Sequence, residues 1–170
     1  MAIRILIAED FQILREDLCE TLSAQEDMEV VGQAASGAEI VNIARETDFD
    51  VILMDIEMES TTAGIRATEE ILQFKPKAII VFLTAHETDE MILLSMGAGA
   101  ADYLVKGCPD EDILRHVRMA AKGEAQLESR IQQTVLREYS RLQRSEQSLL
   151  FSGRTSLHTC SSSSSVVFPS

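Results

Sequence analysis

Short apolar runs alternate with longer amphipathic segments along the first 122 residues of the chain. The runs occupy residues 3–7, 30–34, 51–54, 78–83 and 102–105, and their length is typical of buried β-strands. The segments between them carry apolar residues three and four positions apart, as helices that cover a sheet do. Three such stripes are Leu14, Leu18 and Leu22; Ile40, Ile43 and Ala44; and Ile71, Leu72 and Phe74. This alternation predicts an α/β fold with a doubly wound, five-stranded parallel sheet.

Two changes of pattern divide the chain into three segments. Pro109, with acidic residues after it, predicts the start of a fifth helix, and Gly123 predicts its end. Residues 123–150 then carry a narrow apolar stripe, which predicts a linker helix or a partner helix. The stripe consists of Leu127, Ile131, Val135, Tyr139, Leu142 and Leu149. Residues 151–170 contain the run SSSSS without apolar periodicity, so we expect a disordered or non-native tail after a domain at 1–122.

Polar residues stand where four of the predicted strands end. Glu9 and Asp10 follow the first strand, Asp55 the third, Thr84 the fourth and Lys106 the fifth. A parallel sheet gathers these ends at one edge, where open α/β sheets bind ligands. Three carboxylates repel one another unless a hard cation lies between them, and Mg²⁺ prefers oxygen ligands. The pattern predicts a magnesium site in which Asp55 is the nucleophile for a phosphoryl group and Lys106 and Thr84 assist it. The alternative is that these strand-end carboxylates only cap helices.

The composition restricts the class of partner. With 28 acidic and 15 basic residues the formal net charge is -13, so these residues lack the clustered cations that bind nucleic acid. The three cysteines have neither metal-site nor disulfide spacing, which is typical of a reducing compartment. No apolar run approaches the roughly 18 residues that span a membrane. We therefore expect a cytoplasmic protein that does not associate with a membrane.

From Ile3 to about Lys122, these motifs together resemble the receiver domains of response regulators in two-component signalling. The resemblance implies a CheY-like, flavodoxin-like fold and magnesium as cofactor. It also implies an acidic pair, a phosphoacceptor aspartate, a switch hydroxyl and a phosphate-facing lysine. The matching residues are Glu9 and Asp10; Asp55; Thr84, which Ala85 follows; and Lys106.

The same resemblance implies roles for three further residues. Glu57 would give its backbone carbonyl to the metal, and Tyr103, in the segment GAGAADYLVK, would swing inward when Thr84 is drawn to the phosphate. Glu57 and His86 would flank the phosphate and modulate self-hydrolysis. The alternatives are a half-buried strand aromatic for Tyr103 and an exposed helix-start histidine for His86. His116 and His158 have no suitable neighbours in the sequence.

The loop after the third strand departs from the family pattern. In DIEMESTTAG, Glu59 stands where a proline is usual, and Gly64 comes one residue late. A proline would fix φ and stiffen the turn. We therefore expect a more mobile loop and an altered phosphate lifetime, with phosphorylation itself retained.

The segment GEAQLESRIQQTVL is similar to the linker of NarL/LuxR-type regulators, which a helix-turn-helix domain follows. We expect a receiver that a sensor histidine kinase phosphorylates on Asp55, whose output domain is absent, and whose linker stripe supports a homodimer. DNA would then be bound only through the missing domain. The alternatives are a stand-alone receiver, an interaction module with a vestigial site, and a haloacid-dehalogenase-type phosphohydrolase. The last would carry a second aspartate where this chain has Glu57.

Overall fold

Five parallel strands and five helices alternate over residues 3–121 in a computed structural model, which describes residues 1–124 and 132–146. The elements are β1 (Ile3–Ala8), α1 (Gln12–Ser23), β2 (Met28–Ala34), α2 (Gly37–Glu46), β3 (Val51–Asp55), α3 (Ala63–Phe74), β4 (Ile79–Thr84), α4 (Asp89–Gly97), β5 (Asp102–Val105) and α5 (Asp110–Ala121). The sheet order is β2-β1-β3-β4-β5, and all paired strands are parallel. The predicted fold is confirmed.

The central strands are buried on both faces, because helices cover both sides of the sheet. All five residues of β3 are buried. One face packs against α1 and α5 in a core that includes Leu22, Leu53 and Val117. Since successive side chains of a strand point to opposite faces, Ile52 and Phe82 are buried on the other face.

Helix α5 ends as the sequence predicts. Gly123 has a φ of 74°, in the left-handed region that glycine adopts without steric cost. Its N–H donates to the Ala120 carbonyl at 3.0 Å, and the Glu124 N–H donates to the Met119 carbonyl at 2.8 Å. These two bonds form a Schellman motif, which satisfies carbonyls that the helix end leaves without partners.

Contacts divide the chain into two units, Met1–Glu128 and Ser129–Ser170. In the second unit, residues 132–146 are helical. Tyr139 is 59% exposed and Leu142 is 55% exposed. The rest of the predicted stripe and the predicted tail at 151–170 lie outside the described residues. Every helix in the described part of the chain is too short or too polar to cross a membrane.

Candidate functional site

The topology places the acidic residues at the point where the strand order reverses. Asp55 is the last residue of β3, and Ala8 of β1 pairs with Met54, so Glu9 follows directly beside Asp55. Ligands of doubly wound sheets bind in the crevice at such a reversal. Glu9 is 1% exposed and Asp55 is 3% exposed, while Asp10 is exposed. The structure therefore brings the three predicted carboxylates together.

Lys106 reaches this cluster from the far side of β4. Asp55 pairs with Leu83, so Thr84 is the next residue along β4, and it is fully buried. The Lys106 N–H donates to the Thr84 carbonyl at 2.7 Å, which extends the pairing of β4 and β5. From there the Lys106 Nζ lies 2.8 Å from Glu9 Oε1 and 3.0 Å from Asp55 Oδ2. One ammonium thus bridges two buried carboxylates.

Burial dominates the acid–base behaviour of the cluster. It raises the pKa of Glu9 to about 7, although the Lys106 ammonium and the Phe11 N–H lower that pKa. Burial also raises the pKa of Asp55, against the lowering effect of Lys106. Burial lowers the pKa of Lys106, but its hydrogen bonds to Glu9 and Asp55 outweigh burial and the net change is upward. A single ammonium therefore leaves the buried carboxylates incompletely neutralised.

The donor set fits a hard divalent cation. Oxygens of Glu9, Asp10 and Asp55 all lie within 4.8 Å of one another. Mg²⁺ takes oxygen ligands and keeps several waters, so an exposed member such as Asp10 suits it. A divalent cation would also supply the positive charge that Lys106 alone does not provide. The raised pKa values of Glu9 and Asp55 agree with this need.

Short-range hydrogen bonds fix the carboxylates. Glu9 Oε2 accepts from the Phe11 N–H at 3.0 Å, and Asp55 Oδ1 accepts from the Glu57 N–H at 3.3 Å. Arg15 Nη1 donates to the Glu9 carbonyl at 2.7 Å and holds the turn between β1 and α1. Sequence reasoning missed Arg15, whose signal is a lone cation in an acidic segment.

Thr84 and Tyr103 meet at the backbone of His86. The Thr84 hydroxyl accepts from the His86 N–H at 3.3 Å, and the Tyr103 hydroxyl donates to the His86 carbonyl at 3.0 Å. Tyr103 is 1% exposed, so its ring already lies inside, rather than half-buried as the alternative for this residue held. The inward swing of Tyr103 on phosphorylation stays a prediction.

Glu57 and His86 lie side by side at the surface. His86 Nε2 is 3.9 Å from Glu57 Oε1, with the two side chains 68% and 40% exposed. The resemblance to receiver domains implied that Glu57 and His86 flank the phosphate. That placement and their effect on self-hydrolysis stay predictions.

Comparison with known proteins decides the family. The family model of the response regulator receiver domain matches residues 5–118. The chain belongs to the response-regulator receiver family. This receiver is 39% identical, over 123 residues, to the uncharacterized transcriptional regulatory protein YxjL of Bacillus subtilis (strain 168), covering 72% of this chain and 56% of YxjL. It is 39% identical to the transcriptional regulatory protein LiaR of the same organism, covering 87% of this chain and 68% of LiaR.

The solved structures agree with the family. A LuxR-family two-component response regulator from Aurantimonas sp. SI85-9A1 superposes with a TM-score of 0.74 at 26% identity, covering 82% of this chain and 99% of that one. The receiver spans between 56% and 68% of the length of the two curated relatives. Response regulators of this kind regulate transcription and are generally signalling proteins without enzymatic turnover. The match runs against the haloacid-dehalogenase alternative.

The loop that departs from the family pattern is held in place in this receiver. Glu59 Oε1 accepts from the Gly37 N–H at 2.7 Å, and Glu59 Oε2 accepts from the Ala38 N–H at 3.2 Å. The Gly37 N–H contributes most to a lowered pKa for the Glu59 carboxyl. Sequence reasoning noted Glu59 only as a missing proline. The prediction of a more mobile loop did not take these two hydrogen bonds into account, and the mobility of the loop stays a prediction.

Proposed function

We propose that Asp55 accepts a phosphoryl group from a sensor histidine kinase while Mg²⁺ is bound at the carboxylate cluster. Glu9, Asp10, Asp55 and the Glu57 backbone carbonyl would hold the metal. The observation that carries this proposal is the buried pair of Glu9 and Asp55, bridged by Lys106 Nζ at 2.8 and 3.0 Å. With a divalent cation bound, this site would direct positive charge at the incoming phosphoryl group.

The transfer itself needs only one nucleophile. An Asp55 carboxylate oxygen attacks phosphorus, the phosphorus–nitrogen bond of the phosphohistidine breaks, and its electron pair stays on the imidazole nitrogen. Bound Mg²⁺ supplies a Lewis acid for phosphoryl oxygens. Lys106 then shifts its ammonium from the carboxylates to a phosphoryl oxygen, and Thr84 donates its hydroxyl to another.

Phosphorylation would change the hydrogen bonds of Thr84. Its hydroxyl now accepts from the His86 N–H, and turning toward the phosphoryl group breaks that bond. Tyr103 is attached to the same residue through the His86 carbonyl. The segment at His86 would therefore move, and we propose this movement as the origin of the switch.

The proposed output is transcription through a helix-turn-helix domain beyond the described residues. In this proposal, residues 1–122 form the receiver and residues 123–150 form a helical linker that supports a homodimer. DNA contact belongs to the output domain, since the relatives are transcriptional regulatory proteins. The location is the cytoplasm, where a sensor kinase has access to ATP.

Intact-mass detection of phosphoryl transfer from acetyl phosphate tests the proposal. We expect a Mg²⁺-dependent single adduct on the wild type and none on Asp55→Asn, because the amide is not a nucleophile for phosphorus. The control is Asp48→Asn, which removes the same charge from a side chain that is 91% exposed. An adduct that persists in Asp55→Asn, or that forms equally well with a chelator present, would contradict the proposal.

A further inference from the structure

The first turn of α2 receives two of its hydrogen-bond acceptors from a distant loop. An α-helix leaves its first N–H groups without partners inside the helix. Ser36 satisfies one of these groups, because its hydroxyl accepts from the Glu39 N–H at 3.1 Å, and its carbonyl accepts the first bond of the helix itself, from the Ile40 N–H at 3.1 Å. The N–H groups that remain are those of Gly37 and Ala38.

Glu59 accepts hydrogen bonds from both remaining N–H groups, one with each carboxylate oxygen. It lies 22 residues from Gly37 in the chain and on the loop that follows β3. Since β1 lies between β2 and β3 in the sheet, this side chain joins segments that follow two non-adjacent strands. The helix dipole favours a negative charge at this position.

The turn between β2 and α2 is also attached to the other acidic loop. The Ala34 carbonyl accepts from the Glu9 N–H at 2.9 Å. Residues 34–38 therefore contact the loop that carries Glu9 and the loop that carries Glu57 and Glu59. The base of the second loop is closed independently, since the Gly64 N–H donates to the Ile56 carbonyl at 2.8 Å. Glu59 holds the tip of that loop.

We propose that Glu59 is a positioning residue for the metal site. Its two hydrogen bonds attach the loop after β3 to the start of α2 and so place the Glu57 backbone carbonyl. This inference rests on the proposed function, in which that carbonyl is a ligand of Mg²⁺. A proline stiffens a loop from within by fixing φ, whereas Glu59 fixes it by attachment to a neighbouring helix. Two acceptor oxygens at glutamate length are needed for both bonds.

Three substitutions separate attachment from charge. Glu59→Ala removes both. Glu59→Asp keeps the charge but shortens the side chain by one methylene, so it does not reach both N–H groups. Glu59→Gln keeps the length and one acceptor oxygen but loses the charge. Glu69→Ala, at an exposed glutamate of α3, is the matched control for the loss of one negative charge.

The first measurement is Mg²⁺ affinity by titration calorimetry, followed by the rate of adduct formation from acetyl phosphate at saturating Mg²⁺. Mutation of residues that orient metal ligands indirectly lowers metal affinity by about 10- to 100-fold. Because Glu59 is exposed, we expect a smaller loss of Mg²⁺ affinity, about 3- to 10-fold, in Glu59→Ala. Glu59→Asp should lose nearly as much and Glu59→Gln less. The rate at saturating Mg²⁺ should stay within about twofold of wild type, because the nucleophile is unchanged. Glu69→Ala should match wild type.

Amide hydrogen exchange measures the attachment of Glu59 to α2 directly, because both hydrogen bonds involve backbone N–H groups. Exchange at Gly37 and Ala38 should accelerate in Glu59→Ala and in Glu59→Asp. Wild-type affinity for Mg²⁺ in Glu59→Ala, with faster exchange at these amides, would overturn the inference and leave Glu59 as a helix cap. Wild-type affinity in Glu59→Asp with a loss in Glu59→Gln would overturn it in favour of simple charge attraction. The proposed function fails separately, if the wild type forms no adduct although it binds Mg²⁺.

Discussion

Gly64 shows at the scale of one residue how the chain lets α3 approach the end of β3. A β-carbon built on Gly64 would lie 2.1 Å from the Asp55 carbonyl oxygen, well inside the 3.0 Å that β-carbons keep from atoms to which they are not bonded. The obstacle is backbone, which a change of rotamer cannot relieve. Glycine is therefore required at this position because of close approach, and its φ is not in the left-handed region.

Replacing Gly64 should be costly. We expect Gly64→Ala to lower the free energy of unfolding by about 2 kcal/mol or more, because α3 must move away from Asp55. Gly97→Ala is the control, since a β-carbon there meets nothing within 4 Å and the change in helix propensity is favourable by up to about 1 kcal/mol. Urea unfolding of both variants measures the difference. Equal stability of the two variants would refute the close-approach argument.

Sequence reasoning predicted the acidic cluster because a strand end is a local signal. Asp55 and Lys106 each follow an apolar run, and topology alone gathers such ends at one edge. The attachment of Glu59 to α2 has no local signal in the sequence, because Gly37 is 22 residues away and binds Glu59 through its backbone N–H. The sequence shows an unusual residue at position 59 but not what it binds.

At the scale of elements, a buried polar pair joins β5 to α5. His116 Nδ1 lies 2.5 Å from Asp102 Oδ2, and the two side chains are 3% and 0% exposed. Asp102 Oδ1 accepts from the Tyr103 N–H at 2.8 Å. The expectation that His116 lacks a suitable neighbour is wrong, because its partner lies on the preceding strand 14 residues away. His158 lies outside the described residues.

Breaking this pair should destabilise the fold strongly. We expect His116→Leu to lower the free energy of unfolding by about 3 kcal/mol, since the Asp102 carboxylate stays buried without the imidazole. Asp102→Asn in the same background should restore part of the loss, so that the double variant loses less than the sum of the single variants by at least about 1 kcal/mol. Denaturant unfolding of the four proteins completes the cycle. Additive losses would show that the two side chains do not interact.

At the scale of the whole molecule, the fold concentrates part of a large negative charge at one place. The formal net charge is -13, and three of the carboxylates lie together at the carboxyl edge of the sheet. Sequence periodicity predicted this architecture because each element has its own hydrophobic period. It could not predict which carboxylates would be buried, since Glu9 is 1% exposed and the neighbouring Asp10 is exposed.

Mg²⁺ should therefore stabilise the folded protein as a whole. A ligand that binds only the native state raises its stability by mass action, and we expect 10 mM Mg²⁺ to raise Tm by about 4 °C. Asp10→Asn should reduce the shift, because it removes the exposed carboxylate of the cluster. Calorimetry at constant ionic strength, with NaCl as the comparison salt and EDTA to reverse the effect, measures it. An equal shift with NaCl would mean that general screening stabilises the fold.

Tyr103 and Tyr139 give this chain two intrinsic fluorophores. The sequence contains two tyrosines and no tryptophan, so ultraviolet emission arises from these two rings without overlap from indole. Tyr103 is 1% exposed and belongs to the first unit, while Tyr139 is 59% exposed and belongs to the second. A dissolved quencher such as acrylamide reaches the second ring and not the first. The unquenched emission therefore follows the neighbourhood of His86 in the unlabelled protein.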